Sequence, residues 1–204
     1  MESDCHTLPA FIAAMDELTE RTTDPQTCVA FVQHALAHLL STSPCLTPEQ
    51  TASTAASYAR HLLYRHPQDR YVIVAMVWLP GQGTPIHDHG GVWCVEGVYQ
   101  GRMRVTQYDV VPLDAQHVRA TPVEQINAGL GSVGALIPPY EYHTIDNTSP
   151  ETAITIHVYG ANLRQCHVFV EAVPGIYSVQ TRDLRYTSTP TAVQALASAL
   201  ALPR

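Results

Sequence analysis

The sequence has few charged side chains, and it lacks both a basic cluster and a long apolar run. Charged residues make up 14% of its 204 residues, and the formal net charge is −7 with histidine neutral. No basic cluster occurs, so we expect neither a nucleic-acid partner nor an anionic membrane, because both need such a cluster to displace counterions. No apolar run approaches the roughly 20 residues that span a bilayer.

The cysteines and the first residues do not fit an exported, disulfide-bonded protein. The five cysteines are an odd number and none forms a C-x-x-C pair, which argues against a disulfide framework and a zinc ribbon. The first five residues, MESDC, are acidic and lack the basic and apolar regions of a signal peptide. We therefore expect a reducing compartment and a cytoplasmic location.

What the chain does contain indicates one globular domain. Hydrophobic residues make up 46% of it, which is typical of a globular protein rather than a disordered one. Its length suffices for one domain with a full core. We predict a single domain with three parts: a helical N-terminal cap (1–66), a β-barrel (67–180) and a C-terminal tail with a short helix (181–204).

The N-terminal part carries helix signals. From Leu8 onward, apolar residues recur at helical spacing. Asp24 is a good N-cap for a second helix that runs to Leu40. Thr47, with Pro48 at the first helical position, predicts the start of a third helix.

From residue 70 onward the pattern is that of short strands. Residues 71–78 are rich in β-branched and aromatic side chains, as in a buried strand. Further strands are predicted at 92–99, 102–109, 117–126, 132–137, 141–147, 152–159, 166–171 and 176–180. Many short strands at this spacing indicate an all-β sandwich or barrel. The Ala/Leu-rich run 191–202 predicts a short C-terminal helix.

Three histidines stand in segments that begin with turn residues. His87 and His89 follow a turn rich in Gly and Pro, and His143 ends the proline-led segment 137–143. Two residues apart on a strand, His87 and His89 lie on the same face of the sheet, so both imidazoles can reach one metal ion. Neutral nitrogen donors directed at one point from separate strands are typical of a metal site.

The spacing around these histidines resembles the first motif of the cupin superfamily. The matching run is Gly81-x5-His87-x-His89-x4-Cys94-x6-Gly101. It departs from the motif at Cys94, where cupins usually carry a glutamate ligand.

The second cupin motif is also recognisable. Pro138, His143 and Asn147 fit its ending, although Tyr140 replaces the usual glycine. Without the glutamate, three histidines remain as ligands, which is typical of the thiol dioxygenase branch, of which cysteine dioxygenase is the best-known member.

Two further elements are similar to this branch. Its Tyr-x-Arg element is matched by Tyr58 and Arg60, and its Ser-x-His-x-Tyr element by Thr155, His157 and Tyr159, with Thr for Ser. The resemblance runs from about residue 58 to 160.

The resemblance implies a mainly β protein with a cupin (jelly-roll) β-barrel that holds Fe(II) through His87, His89 and His143. Three neutral imidazoles leave the ion its full charge, so a thiolate substrate would supply the missing anion. The implied reaction is the oxidation of a small thiol by O2 to its sulfinate, and L-cysteine is the first choice of substrate.

The resemblance also implies roles for the surrounding residues. Arg60, with Tyr58 and Tyr159, would bind the substrate carboxylate, since a guanidinium can bind such a group through two hydrogen bonds. Thr155 would hold His157, and His157 and Tyr159 would form a polar layer around the metal ligands.

Three assignments stay open in the sequence. Some members of the branch join a cysteine to the tyrosine by a thioether bond, here Cys94 and Tyr159, whereas a plain buried thiol is the alternative. Glu96 is the nearest carboxylate to the missing glutamate and is therefore a rival ligand. His34 and His38 are spaced to chelate a metal on a helix, but without further ligands a polar patch explains them better.

The identity of the substrate also stays open. Arg60 favours L-cysteine, because relatives that oxidise 3-mercaptopropionate carry glutamine there. The pair Val92-Trp93, and Gly160 after Tyr159, look like bacterial relatives that accept other mercapto-acids, so 3-mercaptopropionate and mercaptosuccinate remain candidates.

Two other classes of function also remain. They are a non-catalytic metal-binding cupin and a different cupin enzyme, such as an isomerase or a dioxygenase acting on carbon. The expected partners are a small thiol and O2, with no nucleic acid and no membrane, and the expected state is a monomer or a weak homo-oligomer.

Overall fold

The computed structural model describes residues 7–42 and 45–190. Its helical part consists of α1 (Leu8–Arg21), α2 (Pro25–Thr42) and one 3-10 turn (Glu49–Thr51). The predicted N-cap Asp24 accepts a hydrogen bond from the Thr27 N–H at 2.8 Å. In these residues no helix is both long and apolar enough to cross a membrane.

Eleven strands follow within the described residues. They are β1 (Ala59–Arg65), β2 (Val72–Trp78), β3 (Ile86–His87), β4 (Cys94–Gln100), β5 (Arg102–Pro112), β6 (His117–Gly129), β7 (Val133–Leu136), β8 (His143–Asp146), β9 (Ala153–Tyr159), β10 (Gln165–Val173) and β11 (Ile176–Asp183).

The strands form two sheets. One has the order β1-β2-β9-β4-β7, and the other closes on itself in the order β10-β11-β6-β5-β8-β3, because the short β3 pairs with both β8 and β10. This confirms the mainly β, cupin-type barrel with helices at its N-terminal side.

The predicted limits of the helical cap differ from the structure in two places. Residues 59–65, which we assigned to the cap, form β1 and pair antiparallel with β2. Its first residues are buried without a polar-apolar alternation, so the sequence does not show the period of a half-exposed strand. The predicted third helix is only a 3-10 turn, although Thr47 and Gln50 make the expected reciprocal capping bonds.

The predicted tail also begins differently. Strand β11 continues to Asp183, and the segment after it lies along β1. The Thr187 N–H donates to the Arg60 carbonyl at 2.7 Å, and the Leu62 N–H donates to the Ser188 carbonyl at 2.9 Å. The predicted helix at 191–202 lies outside the described residues.

Helix α2 covers the outer face of the first sheet at β4. Val95 belongs to the core beneath the helices, and a Cβ on Gly97 would lie 2.5 Å from the Leu40 Cδ1. Alternate residues of a strand point to opposite faces, so Cys94 and Glu96 point into the barrel. The packing of α2 therefore fixes which β4 side chains reach the interior.

Candidate metal centre and substrate pocket

The three predicted ligands converge at one place in the barrel; we call them the three-histidine cluster (His87, His89 and His143). Their ring centroids lie 4.4 to 5.3 Å apart, and one nitrogen of each lies within 4.8 Å of the others. His87 and His143 are paired directly across β3 and β8. The cluster therefore has the shape of a metal site.

His89 reaches the cluster in a different way from the one predicted. Strand β3 ends at His87, so strand alternation does not place His89 beside it. The loop between them is held by Asp88, whose carboxylate accepts the His167 N–H at 2.7 Å and the Gly90 N–H at 3.2 Å. This anchor to β10 turns the loop so that His89 points back into the barrel.

The turn that precedes His87 is also fixed. The Asn147 side chain donates to the Trp78 carbonyl at 2.9 Å and to the Glu151 carbonyl at 2.7 Å. The Gly81 N–H donates to the Asn147 carbonyl at 2.9 Å. The asparagine of the second motif thus joins the turn before β3 to the strand that carries His143.

Hydrogen-bond acceptors define which nitrogen of each ring faces a metal. The Nδ1 of His87 lies 3.2 Å from the Pro85 carbonyl, and the Nδ1 of His143 lies 3.0 Å from the Glu141 carbonyl. A carbonyl can only accept, so each Nδ1 carries the proton and each Nε2 keeps its lone pair. The Nδ1 of His89 lies 3.7 Å from the Glu141 carboxylate and has no hydrogen-bond partner among the described residues.

The cluster is neutral at physiological pH. Burial lowers the pKa of His87 from 6.5 to about 4. Burial lowers the pKa of His89 and of His143 well below 6.5, and neighbouring imidazoles lower both further. Neutral imidazole is the form that binds a metal.

Glu141 is a supporting residue that our sequence reasoning did not select. Its buried carboxylate accepts the His89 N–H at 3.2 Å, and burial raises its pKa to about 7. This bond comes from the backbone of His89, so Glu141 holds the loop that carries the ligand. The one feature of the sequence that could have pointed to Glu141 is its position two residues before His143.

Arg60 lies in the wall of the same pocket, with Tyr58 beside it. It is 5% exposed, and its Nε and Nη1 have no hydrogen-bond partner among the described residues. Its Cζ lies 5.4 Å from the ring centroid of Tyr186, and Tyr58 stacks on Trp78 at 4.3 Å. A buried guanidinium without an anion is costly, so an ordinary surface ion pair does not explain Arg60.

The predicted Thr-His-Tyr element forms a connected layer on β9. The Trp78 Nε1–H donates to the Thr155 Oγ1 at 2.9 Å, so the Thr155 hydroxyl can donate to the His157 Nε2, 2.7 Å away. The His157 Nδ1 then carries a proton and lies 3.4 Å from the Tyr159 hydroxyl. Burial lowers the pKa of His157 to about 3 and raises that of Tyr159 well above 10, so both are neutral.

Cys94 lies directly opposite Tyr159 across β4 and β9. Such cross-strand neighbours have Cβ atoms about 4.5–5.5 Å apart. Burial raises the pKa of Cys94 well above 9, so it is a protonated thiol. Side chains so placed can be joined without a change of fold.

Glu96, which the sequence left open as a rival ligand, lies inside the barrel. It is 8% exposed and lies opposite His157. Its Oε2 lies 3.3 Å from the His157 Nδ1 and 3.8 Å from the His143 Nε2, and it has no hydrogen-bond partner among the described residues. Burial raises its pKa to about 7.

The structure groups Glu96 apart from the three-histidine cluster. The set of potential metal donors that contains it comprises Cys94, Glu96 and His157. The carboxylate therefore lies beside the cluster rather than within it. His34 and His38, on α2, belong to neither of the two donor sets found in the described residues.

Replacement of His143 by alanine should remove most metal affinity, because one of three converging donors is lost. We expect affinity for an added divalent metal to fall on the order of 100-fold or more, measured by metal analysis after dialysis. His117→Ala, which alters a histidine paired with Asp114 on the surface, is the control. Equal metal content in both variants would contradict the ligand assignment.

The metal-free protein should lose stability in acid in two stages. The three-histidine cluster and His157 titrate near 6.5 only when unfolded, so stability falls as the pH drops below that value. Glu96 and Glu141 hold their protons up to about pH 7 in the folded state, which partly offsets this loss down to about pH 4.5. We expect a shallow decline from pH 6.5 to 4.5 and a steep one below, measured by urea unfolding. Constant stability down to pH 4 would show that these histidines are not held neutral.

Comparison with known proteins agrees with this geometry. A family model described as cysteine dioxygenase type I matches residues 54–172. Cysteine dioxygenase type 1 of Rattus norvegicus is 23% identical over 137 residues, which cover 59% of this chain and 64% of the relative. The Homo sapiens protein is 24% identical over 130 residues, with 56% and 60% covered. The chain thus spans less than two thirds of the length of these relatives.

A solved structure is similar as well. The TT1209 protein from Thermus thermophilus has a TM-score of 0.43 and 18% identity, and the match covers 58% of this chain and 98% of that one. The family model covers more than half of the chain. Its range includes the three-histidine cluster, Arg60 and the Thr-His-Tyr element. The chain therefore belongs to the cysteine dioxygenase type I family.

Proposed function

We propose that this protein is a non-haem Fe(II) thiol dioxygenase that oxidises a small thiol carrying a carboxylate, with L-cysteine as the first candidate and cysteine sulfinic acid as its product. One observation carries the proposal. Three neutral imidazoles, two of them fully buried, converge in a pocket whose wall contains Arg60, a buried guanidinium whose Nε and Nη1 have no hydrogen-bond partner among the described residues. Membership of the family supports the same chemistry.

The donor set fits a divalent ion of this kind. One nitrogen of each of three rings converges and none of the three donors is charged, so the thiolate of the substrate would be the anion that completes the site. When bound, the ferrous ion supplies the redox chemistry between thiol and O2. Both oxygen atoms end on sulfur, so one thiol and one O2 give one sulfinic acid without a reductant.

The protein side chains orient the substrate. Arg60 binds its carboxylate, and each charged hydrogen bond there contributes about 1.5–3 kcal/mol. The His157 Nδ1–H faces two acceptors, the Tyr159 hydroxyl at 3.4 Å and the Glu96 Oε2 at 3.3 Å. The bond from Thr155 holds His157 in this tautomer, so the polar layer beside the pocket is oriented before the substrate binds.

A second substrate class is favoured by Arg182 on β11. This arginine lines the pocket that contains Arg60 and is exposed. A guanidinium at the pocket mouth suits a thiol with a second carboxylate, such as mercaptosuccinate. 3-Mercaptopropionate, with one carboxylate and no amine, is the third candidate.

Oxygen uptake by the Fe(II)-loaded protein tests the function directly. L-Cysteine, 3-mercaptopropionate and mercaptosuccinate are supplied in turn, and the sulfinate is measured by mass spectrometry. One sulfinate formed per O2 consumed supports the proposal. Metal binding without thiol-dependent O2 uptake would instead identify a non-catalytic cupin, and activity with Zn²⁺ or Mn²⁺ would point to another reaction.

Arg60→Gln should weaken turnover of cysteine more than that of 3-mercaptopropionate. Loss of the charged clamp should lower kcat/KM for cysteine about tenfold to a hundredfold, whereas Arg65→Gln, at a surface ion pair with Asp69, should change little. Arg182→Gln should act on mercaptosuccinate alone. An unchanged kcat/KM for all three thiols in Arg60→Gln would remove the carboxylate-binding role.

We also propose that Cys94 and Tyr159 form a thioether in part of the molecules, since they are cross-strand partners. The bond removes two hydrogen atoms, with O2 as the oxidant, so the cross-linked chain should be about two mass units lighter. Intact-protein mass spectrometry should show this species in the unaltered protein and in Cys28→Ser but not in Cys94→Ser. Its persistence in Cys94→Ser would exclude this pair.

A further inference from the structure

A second cavity lies inside the barrel behind the metal pocket, and the proposed mechanism does not use it. Its volume is about 110 Å³, against about 30 Å³ for the metal pocket. Most of its lining is apolar and comes from the interior of β4 to β7, including Val98, Met103, Val105, Ala128 and Leu136. It is thus the larger and the less polar of the two spaces.

The two spaces share a wall. Glu96, Ile145 and Thr155 line both of them. The Glu96 carboxylate lies at the metal side of this wall, within 3.8 Å of the His143 Nε2. The cavity is therefore separated from the three-histidine cluster by one layer of side chains.

The metal pocket has little room for a second reactant. Its free volume is about 30 Å³, against about 110 Å³ for the apolar cavity. A thiol bound between the cluster and Arg60 would take up this space. O2 that arrives afterwards therefore needs an approach that does not pass the bound thiol.

The apolar cavity has the properties that such an approach requires. Apolar cavities of about 150 Å³ stay dry and bind small apolar guests such as xenon, and O2 is small and apolar. On the side of β6 the lining reaches the surface, where Ile126 is 41% exposed. Gas can therefore enter it without passing the arginines of the polar pocket.

We propose that this cavity binds O2 and delivers it to the metal pocket past Glu96, Ile145 and Thr155. The inference rests on the proposed function, because a dioxygenase must admit O2. O2 would then enter through the cavity lined by β4 to β7, and the thiol through the pocket that contains Arg60.

Ala128→Phe is the variant that tests the route. Ala128 lies opposite Met103 on β5 and packs into the barrel core, so a phenyl ring there would fill much of the cavity. We expect the KM for O2 to rise severalfold while the KM for the thiol and the iron content stay unchanged. Val123→Phe, on the same strand but 64% exposed and outside the cavity, should leave all three values unchanged.

Crystals of the unaltered protein under xenon pressure give an independent test, which remains if Ala128→Phe does not fold. Xenon should occupy the cavity in the unaltered protein and be absent from it in a folded Ala128→Phe. An unoccupied or water-filled cavity under xenon, or an unchanged KM for O2 in folded, iron-loaded Ala128→Phe, overturns the inference. Failure of the proposed function is distinct, because the unaltered protein would then show no thiol-dependent O2 uptake.

Discussion

The site depends on keeping three imidazoles neutral and correctly turned inside the barrel. Burial and the neighbouring imidazoles keep them uncharged, but they do not choose which nitrogen faces inward. For His87 and His143 a backbone carbonyl makes that choice, since each lies near an Nδ1 and leaves the Nε2 free. The metal-binding direction is therefore built into the loops that precede His87 and His143.

Strand β4 packs against helix α2 on its outer face and carries site residues on its inner face. On the outer face, α2 packs so closely on β4 that residue 97 has no side chain. On the inner face, the pairing of β4 with β9 sets Cys94 against Tyr159 and Glu96 against His157. One strand register thus places both the helical cap and the polar layer of the site, so a change of register would disrupt fold and function together.

The charges of the pocket are incomplete without a ligand. Arg60 is buried, its Nε and Nη1 have no hydrogen-bond partner among the described residues, and the three-histidine cluster is neutral. A divalent ion would add further positive charge, which is why the proposed substrate carries two anionic groups, a thiolate and a carboxylate. The neighbouring cavity is mostly apolar, and Glu96 lies between the two spaces. In the proposed reaction the polar space would take the anion and the apolar space the gas.

The sequence by itself determined the barrel class and the identity of the converging histidines, because the pattern of short strands and the spacing of the motifs are local properties of the chain. The tertiary structure alone decided that Arg60 lies on a strand, that His89 reaches the site from a loop, and that Glu141 and Glu96 stand beside the ligands. Each of these depends on pairing or packing between segments far apart in the chain. Local periodicity does not encode such contacts, which is why the sequence offered Glu96 only as a rival ligand and did not select Glu141.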